Sequence, residues 1–310
     1  MKRLSGIILF LFLFFVAGNC VSLAASPAKS GVTVIPSETS VTLSGGHNGS
    51  VDVFYTNNTN REIDLHLSTV DFGSLNDTGG IAFLGNNANS FAKQYGLSQW
   101  MVLEKDFLVL APHAGEHVTV TVQNQESLSP GGHYGAVLAK MEVPTNNRNK
   151  KSILLQSTLS SLLFVKKTGG GIYQLDLNNT DVERNWYQNI EGVSLRLQNS
   201  GNIHVIPRGY IELTDPAGRM ISRGIINEGS GIILPESFRI FDTPLRPVAF
   251  PYRLGAYHIS THFRFDGRVS YTTKNMPVFY IPPVWLAALG FLLLALVIFF
   301  FYRRNKTYGK

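Results

Sequence analysis

The chain has 310 residues, of which 27 are Lys or Arg, 21 are Asp or Glu and one is Cys. The excess of six positive charges lies wholly at the two ends of the chain, in Lys2, Arg3, Arg303, Arg304, Lys306 and Lys310. Residues 26–300 are therefore neutral overall, which argues against nucleic acid as a partner, and a single cysteine excludes an internal disulfide.

The first 25 residues have the three parts of a secretory signal peptide. Met1–Arg3 is positively charged, Gly6–Ala17 is apolar, and Ser22–Ala25 offers small residues for cleavage. We predict that residues 1–25 are removed and that Cys20 leaves with them. An uncleaved N-terminal anchor is the alternative.

The exported part alternates apolar and polar residues over short runs, as β-strands with one buried face do. Clear examples are Val51–Tyr55, His117–Val122 and Tyr257–Phe263. Turn-forming residues separate such runs at intervals of roughly ten residues, without long amphipathic helical patterns between them. The sequence therefore predicts an all-β protein with two immunoglobulin-like β-sandwich domains.

A glycine-rich segment, Lys166–Gly171, divides the two predicted sandwiches. Three consecutive glycines have no side chains to pack, which favours a linker. We place the first sandwich at residues 26–167 and the second at residues 168–282. Ser152–Val165 is a long apolar strand candidate that would close the first domain, and Asn89–Gln99 is the one stretch that could be helical.

The C-terminal end carries an apolar run over residues 283–302. About 20 such residues match the roughly 30 Å hydrocarbon core of a bilayer. Trp285 and Tyr302 are placed for the two interfaces, and the basic residues of the tail, 303–310, mark a cytoplasmic end. We predict a single transmembrane helix in the plasma membrane, with the N-terminal part extracellular, the C-terminus cytoplasmic and the lipid bilayer as a partner.

The sequence contains no recognisable catalytic constellation. A phosphate-binding glycine loop, a His-Glu-x-x-His pair and a Gly-x-Ser-x-Gly elbow are all missing. His113 and His117 have i, i+4 spacing, and so do His258 and His262. On a strand that spacing separates two residues by about 13 Å, too far for one metal ion. We predict a protein that is not an enzyme and has no metal site or cofactor.

Short motifs follow one another along the exported chain. They are Val34-Ile35-Pro36, Asn57-Asn58, Asp71-Phe72, Trp100-x-x-Leu103, Phe107-x-Leu-x-x-Pro112-x-x-Gly115-Glu116, Pro130-Gly131-Gly132-His133-Tyr134-Gly135-Ala136, Asn199-Ser200-Gly201-Asn202-Ile203-His204, Leu234-Pro235-Glu236-Ser237-x-Arg239 and Gly255-Ala256-Tyr257. In this order, with the C-terminal anchor, the chain resembles a distant member of the WxL-interacting cell-surface proteins of Gram-positive bacteria. The resemblance covers nearly the whole exported chain. It implies a peptidoglycan-binding-type first domain and a host-binding-type second domain.

Sandwiches bind ligands through edge strands or end loops. For a glycan we expect aromatic faces with amide or carboxylate groups beside them. His133 and Tyr134, next to a glycine pair, are the first candidates for binding, and Asn199, Asn202 and His204 are the second. The alternative is that all five residues only stabilise turns.

We therefore expect a membrane-anchored bacterial cell-surface protein that acts in adhesion. It would attach to cell-wall peptidoglycan and present its second domain to a surface or host protein partner. The alternative is a membrane-tethered assembly factor resembling pilus chaperones, which would complete a client protein with an edge strand. A free edge along Ser152–Val165 would favour this alternative, and a covered edge would count against it.

Overall fold

The computed structural model describes residues 31–85, 89–142, 157–248 and 254–307. The predicted signal peptide, residues 1–25, lies outside the described residues, as does the first part of the predicted strand Ser152–Val165. The described chain folds into two β-sandwiches followed by one long helix. The predicted all-β class, with two immunoglobulin-like domains and a C-terminal helix, is confirmed.

The first sandwich consists of two sheets. Its strands are β1 (Val32–Ile35), β2 (Glu38–Leu43), β3 (Gly49–Asn57), β4 (Ile63–Leu75), β5 (Gly80–Phe83), β6 (Met101–Leu103), β7 (Phe107–Leu110), β8 (Gly115–Val122), β9 (Gly131–Glu142) and β10 (Thr158–Lys167). One sheet has the order β1-β3-β8-β6, and the other has the order β2-β10-β9-β4-β5, with β7 also paired to β4. The alternating residues of β3 and β8 that face inwards, such as Val53 and Val120, are fully buried between the sheets.

The chain crosses from one sheet to the other at its first two strands. β1 pairs antiparallel with β3, whereas β2 pairs parallel with β10. The β2 pairing covers Leu162–Lys167 and stops there. One edge of β10 is therefore covered along its second half by the start of the same domain.

The second sandwich also consists of two sheets. Its strands are β11 (Leu175–Arg184), β12 (Ile190–Asn199), β13 (Arg208–Thr214), β14 (Met220–Ile226), β15 (Phe238–Pro244), β16 (Arg246–Pro247), β17 (Gly255–Arg264) and β18 (Thr272–Tyr280). The sheets have the orders β11-β12-β15 and β16-β14-β13-β17-β18. Buried side chains such as Leu195, Ile211 and Tyr257 form its core.

Two α-helices complete the described chain, besides the short 3-10 helices Asn76–Thr78 and Ser98–Trp100. Helix α1 (Ser90–Tyr95) lies within the predicted helical stretch, and the Asn89 side chain caps it by accepting the Ala92 N–H at 2.9 Å. Helix α2 (Pro283–Thr307) contains the apolar stretch Pro283–Phe301, which is unburied and has a mean hydropathy of 2.8. At 1.5 Å per residue, that stretch is about 28 Å long, so it is long enough to span a bilayer.

Each sandwich contains a fully buried asparagine at the end of an inner strand. Asn57 ends β3 and donates its amide N–H groups to the carbonyls of Leu110, Ala111 and Arg61. Asn199 ends β12 and donates to the carbonyls of Ile203 and Ile233 at 2.8 and 3.0 Å, while its Oδ1 accepts the Gly201 N–H. Each side chain thereby ties together loops that are distant in sequence.

We predict that Asn199→Ala destabilises the second sandwich by about 2–4 kcal/mol, because three buried backbone groups lose their partner. The measurement is the urea unfolding midpoint of the exported fragment, residues 26–280. Asn178→Ala is the matched control, since Asn178 is exposed and its amide bonds only the Gln198 side chain. Equal effects of the two substitutions would contradict the structural role of Asn199.

Candidate functional site

Three of the five predicted binding residues, Tyr134, Asn202 and His204, meet at the junction between the two sandwiches, whereas the side chains of His133 and Asn199 bond within their own domains. His133 and Tyr134 belong to β9 of the first domain, and Asn199, Asn202 and His204 belong to the end of β12 and the segment after it. The Tyr134 hydroxyl accepts the backbone N–H of His204 at 2.8 Å. The sequence named residues from both domains, and the structure brings them into direct contact.

The glycines next to His133 and Tyr134 suggested that these two residues lie on an exposed loop. The structure shows that they do not. Gly131 and Gly132 begin β9, so both residues lie in a strand that is buried on its two faces. The continuous apolar run that follows, Ala136–Ala139, is the sequence signal for such a strand. Any direct contact of these two rings with a ligand stays a prediction, because both are buried here.

Tyr134 lies in an apolar cluster that both domains share. Its ring centroid is 5.9 Å from that of Phe72 and 5.9 Å from that of Phe164, both in the first domain. Leu234 of the second domain packs into the same cluster, with Ile232 beside it. Burial of the ring raises the pKa of the Tyr134 hydroxyl well above its usual value. The two sandwiches therefore share a hydrophobic contact with one polar bridge inside it.

Burial disfavours the charged forms of His133 and His204. Burial lowers the pKa of His204 to about 4, an effect that Asp266 partly offsets and that Lys166 increases. Burial also lowers the pKa of His133, whose ring nitrogens lie 2.7 Å from the Ser129 carbonyl and 3.3 Å from the Gly96 carbonyl. Burial thus disfavours the charged form of both rings.

Asn202 fastens the linker between the domains. Its Oδ1 accepts the Ile172 N–H at 2.6 Å, its Nδ2 donates to the Gly170 carbonyl at 2.9 Å, and its own carbonyl accepts the Gly132 N–H at 2.9 Å. Lys166 and Lys167, which the sequence assigned to the linker, continue β10. The glycine segment is thus tied to both domains.

Two polar contacts cross the junction at its rim. The Arg196 Nε donates to the Asp77 carboxylate at 2.7 Å, and the Tyr95 hydroxyl donates to the Glu236 carboxylate at 3.0 Å. Burial is the largest cause of the rise in the pKa of Tyr95 to about 12, and Glu236 adds to it. These contacts were not predicted, because nothing in the sequence relates residues so far apart.

A cavity of about 230 Å³ opens beside the shared cluster. Phe72 and Phe164 line it from the first domain, and Leu234, Phe238 and Arg239 line it from the second. It lies on the side of the first domain where β2 and β10 meet, since Glu38 of β2 also lines it. The cavity is therefore lined by aromatic and aliphatic side chains together with one cationic group, Arg239, and one anionic group, Glu38.

Arg239 holds its guanidinium group in this cavity. Its Nη1 donates to the Ile232 carbonyl at 2.9 Å, and no ion pair among the described residues includes it. A Cβ atom at Gly79 or Gly231 would lie 2.2 or 2.5 Å from the guanidinium carbon, so both glycines are needed to make room for it. Burial lowers the pKa of Arg239, although the group stays charged. A partly buried cation without a carboxylate partner is suited to receive one.

The rest of the described chain gives little sign of other chemistry. Among its residues, no three His, Cys, Asp or Glu side chains come together as metal ligands. His113 lies in the turn before β8 and contacts Asn60, while His258 and His262 both lie on β17. The junction and its cavity are therefore the candidate site.

We predict that the free energy of unfolding falls as the pH is lowered from about 6.5 to 4. The folded-state pKa of His204 lies below its unfolded value, so the unfolded chain binds the proton first. The loss amounts to as much as ~3 kcal/mol, and it is absent above pH 7. Urea unfolding of residues 26–280 at several pH values measures it.

The control variants separate His204 from the other histidines. His204→Gln should flatten the pH dependence, whereas His258→Gln, at an exposed position on β17, should keep the wild-type slope. A wild-type slope in His204→Gln would show that this residue does not govern acid stability.

No family model and no curated protein matches this chain. Among solved structures it is similar to the class 5 fimbriae chaperone CfaA, with 10% identity over 81% of this chain and 100% of that chain, at a TM-score of 0.39. The E. coli chaperone DraB matches at 10% identity over 81% and 97% of the two chains, with a TM-score of 0.37. The Pseudomonas aeruginosa CupB2 chaperone matches at 10% identity over 80% and 100%, also with a TM-score of 0.37.

Proposed function

We propose that this chain is an exported, membrane-tethered assembly factor that binds an extended segment of a protein partner. The observation that carries the proposal is the half-covered edge of β10, which borders the cavity containing Arg239. This function corresponds to the alternative that the sequence left open.

The open part of the edge is short and defined. β2 pairs with β10 only from Leu162 onwards, whereas β9 pairs with β10 from Thr158. Backbone groups of successive strand residues point to opposite sides. The Leu162 N–H points towards β2, where it bonds the Ser37 carbonyl at 2.8 Å, so the backbone groups of Ser160 and Thr158 point the same way. The segment before β2 also reaches this edge, because the Ser161 hydroxyl donates to the Pro36 carbonyl at 2.7 Å. A partner strand would therefore add by β-augmentation at Thr158 and Ser160.

The edge leads towards the cavity. Side chains of alternate strand residues share a face, so Ser160 lies on the face that carries Leu162 and Phe164. Those two residues belong to the cluster between the domains. A partner strand added at Ser160 would therefore lie on the side of the cluster between the domains, with Arg239 available for a carboxylate of the partner.

The part of β10 that β2 covers limits where a partner strand can be added. A covered edge along Ser152–Val165 counts against strand addition, and β2 does cover Leu162–Lys167. The proposal is therefore confined to the segment before Leu162. A partner would extend the pairing that β2 begins.

Helix α2 supplies the membrane anchor in the proposed function. Helix α2 would anchor the chain in the plasma membrane, with residues 26–282 outside and the basic tail, residues 303–310, in the cytoplasm. Such an anchor keeps the binding edge near the membrane from which exported partners emerge.

Attachment to cell-wall peptidoglycan and membership of the WxL-interacting family remain predictions from the sequence. The aromatic ring proposed to face a glycan, that of Tyr134, is buried at the junction. We rank protein binding first for that reason. Retention of the exported fragment on insoluble cell wall at high salt would favour the adhesion function instead.

We expect Ser160→Pro to abolish partner binding, because proline removes the N–H that faces the open edge. The same N–H does not bond β9, so the strand ladder inside the domain is preserved. A photo-reactive side chain at Thr158 in intact cells provides the measurement: it should yield cross-linked protein in the wild-type background and none in Ser160→Pro.

Ser160→Ala is the matched control, since it keeps the backbone donor, and its cross-linking should equal that of the wild type. A photo-reactive side chain at Glu126, which is exposed, should give no adduct. Cross-linking that persists in Ser160→Pro, with unchanged thermal stability, would rule out strand addition at this edge.

We expect Arg239→Gln to weaken partner binding about tenfold or more, because a charge-assisted hydrogen bond contributes about 1.5–3 kcal/mol. Arg239→Lys should weaken partner binding less, because lysine keeps the positive charge, although it lacks the planar guanidinium group with its paired N–H donors. Arg246→Gln is the control, because Arg246 is exposed and pairs with Glu228 at 3.4 Å. The yield of Thr158 cross-links against partner concentration measures the effect. Equal yields for Arg239→Gln and Arg246→Gln would exclude Arg239 from binding.

A further inference from the structure

The turn between β11 and β12 exposes two large aromatic side chains. Trp186 is 86% exposed and Tyr187 is 62% exposed. A tryptophan side chain so open to water leaves most of a large apolar surface uncovered. The turn, Asn185–Asn189, therefore presents an aromatic tip at one end of the second sandwich.

The tip is held in a defined shape. Asn185 Oδ1 accepts the N–H groups of Tyr187 and Asn189 at 2.9 and 3.0 Å, and the Asn185 N–H donates to the Asn189 carbonyl at 3.0 Å. Gln188 adopts a positive φ of 63°, which lets the chain reverse tightly. The exposed rings are thus carried on a closed turn.

The same turn is attached to the last strand before α2. The Tyr280 hydroxyl donates to Asn189 Oδ1 at 2.8 Å. Arg184 bridges the two elements, since it donates to the Gln188 carbonyl at 3.0 Å and to the Phe279 carbonyl at 3.3 Å. The aromatic tip therefore cannot lie far from the point where the chain enters helix α2.

The short connection between Tyr280 and α2 limits the distance between the aromatic tip and the bilayer. Only Ile281 and Pro282 separate Tyr280 from the first residue of α2. Three extended residues span at most about 10 Å, and each headgroup layer is roughly 5–7 Å thick. If α2 crosses the membrane from Pro283, the tip lies at the depth of the headgroups.

We infer that the β11–β12 turn is a second membrane contact, with Trp186 and Tyr187 inserted in the lipid headgroup region beside α2. Tryptophan and tyrosine prefer this region because their rings are apolar and carry a polar group. Phe279, which is 61% exposed, adds apolar surface at the same end. Two contact points fix the tilt of the second sandwich, which a single two-residue connection would leave free. The inference rests on the membrane anchorage in the proposed function.

The test uses the full-length chain in phosphatidylcholine–phosphatidylglycerol bilayers. The chain has three tryptophans, Trp100, Trp186 and Trp285. Trp100→Phe with Trp285→Phe isolates Trp186, and Trp100→Phe with Trp186→Phe isolates Trp285. Brominated lipid quenches tryptophan inside the bilayer, and acrylamide quenches tryptophan in water.

We expect brominated lipid to quench Trp186 as strongly as Trp285, with both protected from acrylamide. If Trp285 is quenched by lipid while Trp186 responds only to acrylamide, the inference is wrong and the anchor stands. If neither residue is quenched by lipid, the anchor itself fails, and the inference fails with it.

A second probe avoids any change at Trp100, which packs against the first core. Tyr187→Cys in a Cys20→Ser chain, labelled with a polarity-sensitive fluorophore, should shift its emission to the blue when the protein enters bilayers. A label at Asn178→Cys, exposed on β11 away from the turn, should not shift. An unshifted label at position 187 would overturn the inference even if the tryptophan variants fail to fold.

Discussion

The arrangement of the two sandwiches depends on one buried polar contact, between the Tyr134 hydroxyl and the backbone N–H of His204. The Tyr134 ring lies within an apolar cluster that includes Phe72 and Phe164, and the whole residue is buried, so water has little access to its hydroxyl. Leaving such a group unpaired costs about 1–3 kcal/mol. Hydrophobic contact alone would allow the domains to slide, whereas this hydrogen bond requires one particular position.

That fixed position shapes the cavity. Asn202 ties the linker to β9, and Gly79 and Gly231 approach from opposite domains to leave room for the Arg239 guanidinium. A cavity formed by two rigidly joined walls needs no rearrangement to receive a ligand, which lowers the entropy cost of binding. In the proposed function, the buried junction residues would act indirectly, by holding Arg239 and the β10 edge in place.

The second sandwich has the cavity at one end and the proposed membrane contact at the other. β12 runs from Ile190, beside the aromatic turn, to Asn199 at the junction, and ten strand residues span roughly 33 Å. The cavity and the proposed membrane contact thus lie at opposite ends of one domain. With α2 in a bilayer, the second sandwich would act as a spacer that holds the first domain and its open edge about 30 Å above the lipid.

The sequence by itself determined the all-β class, the C-terminal apolar helix and the turn asparagines at Asn57 and Asn199, because alternation, hydrophobic length and turn chemistry are local properties. It also named Tyr134 and His204. Only the tertiary structure decided that they meet each other inside the molecule, that β2 covers half of β10, and that the Asn185–Asn189 turn is bonded to the last strand before α2. Alternation of apolar and polar residues indicates that one face of a strand is buried. It contains no information about which distant strand or domain covers that face.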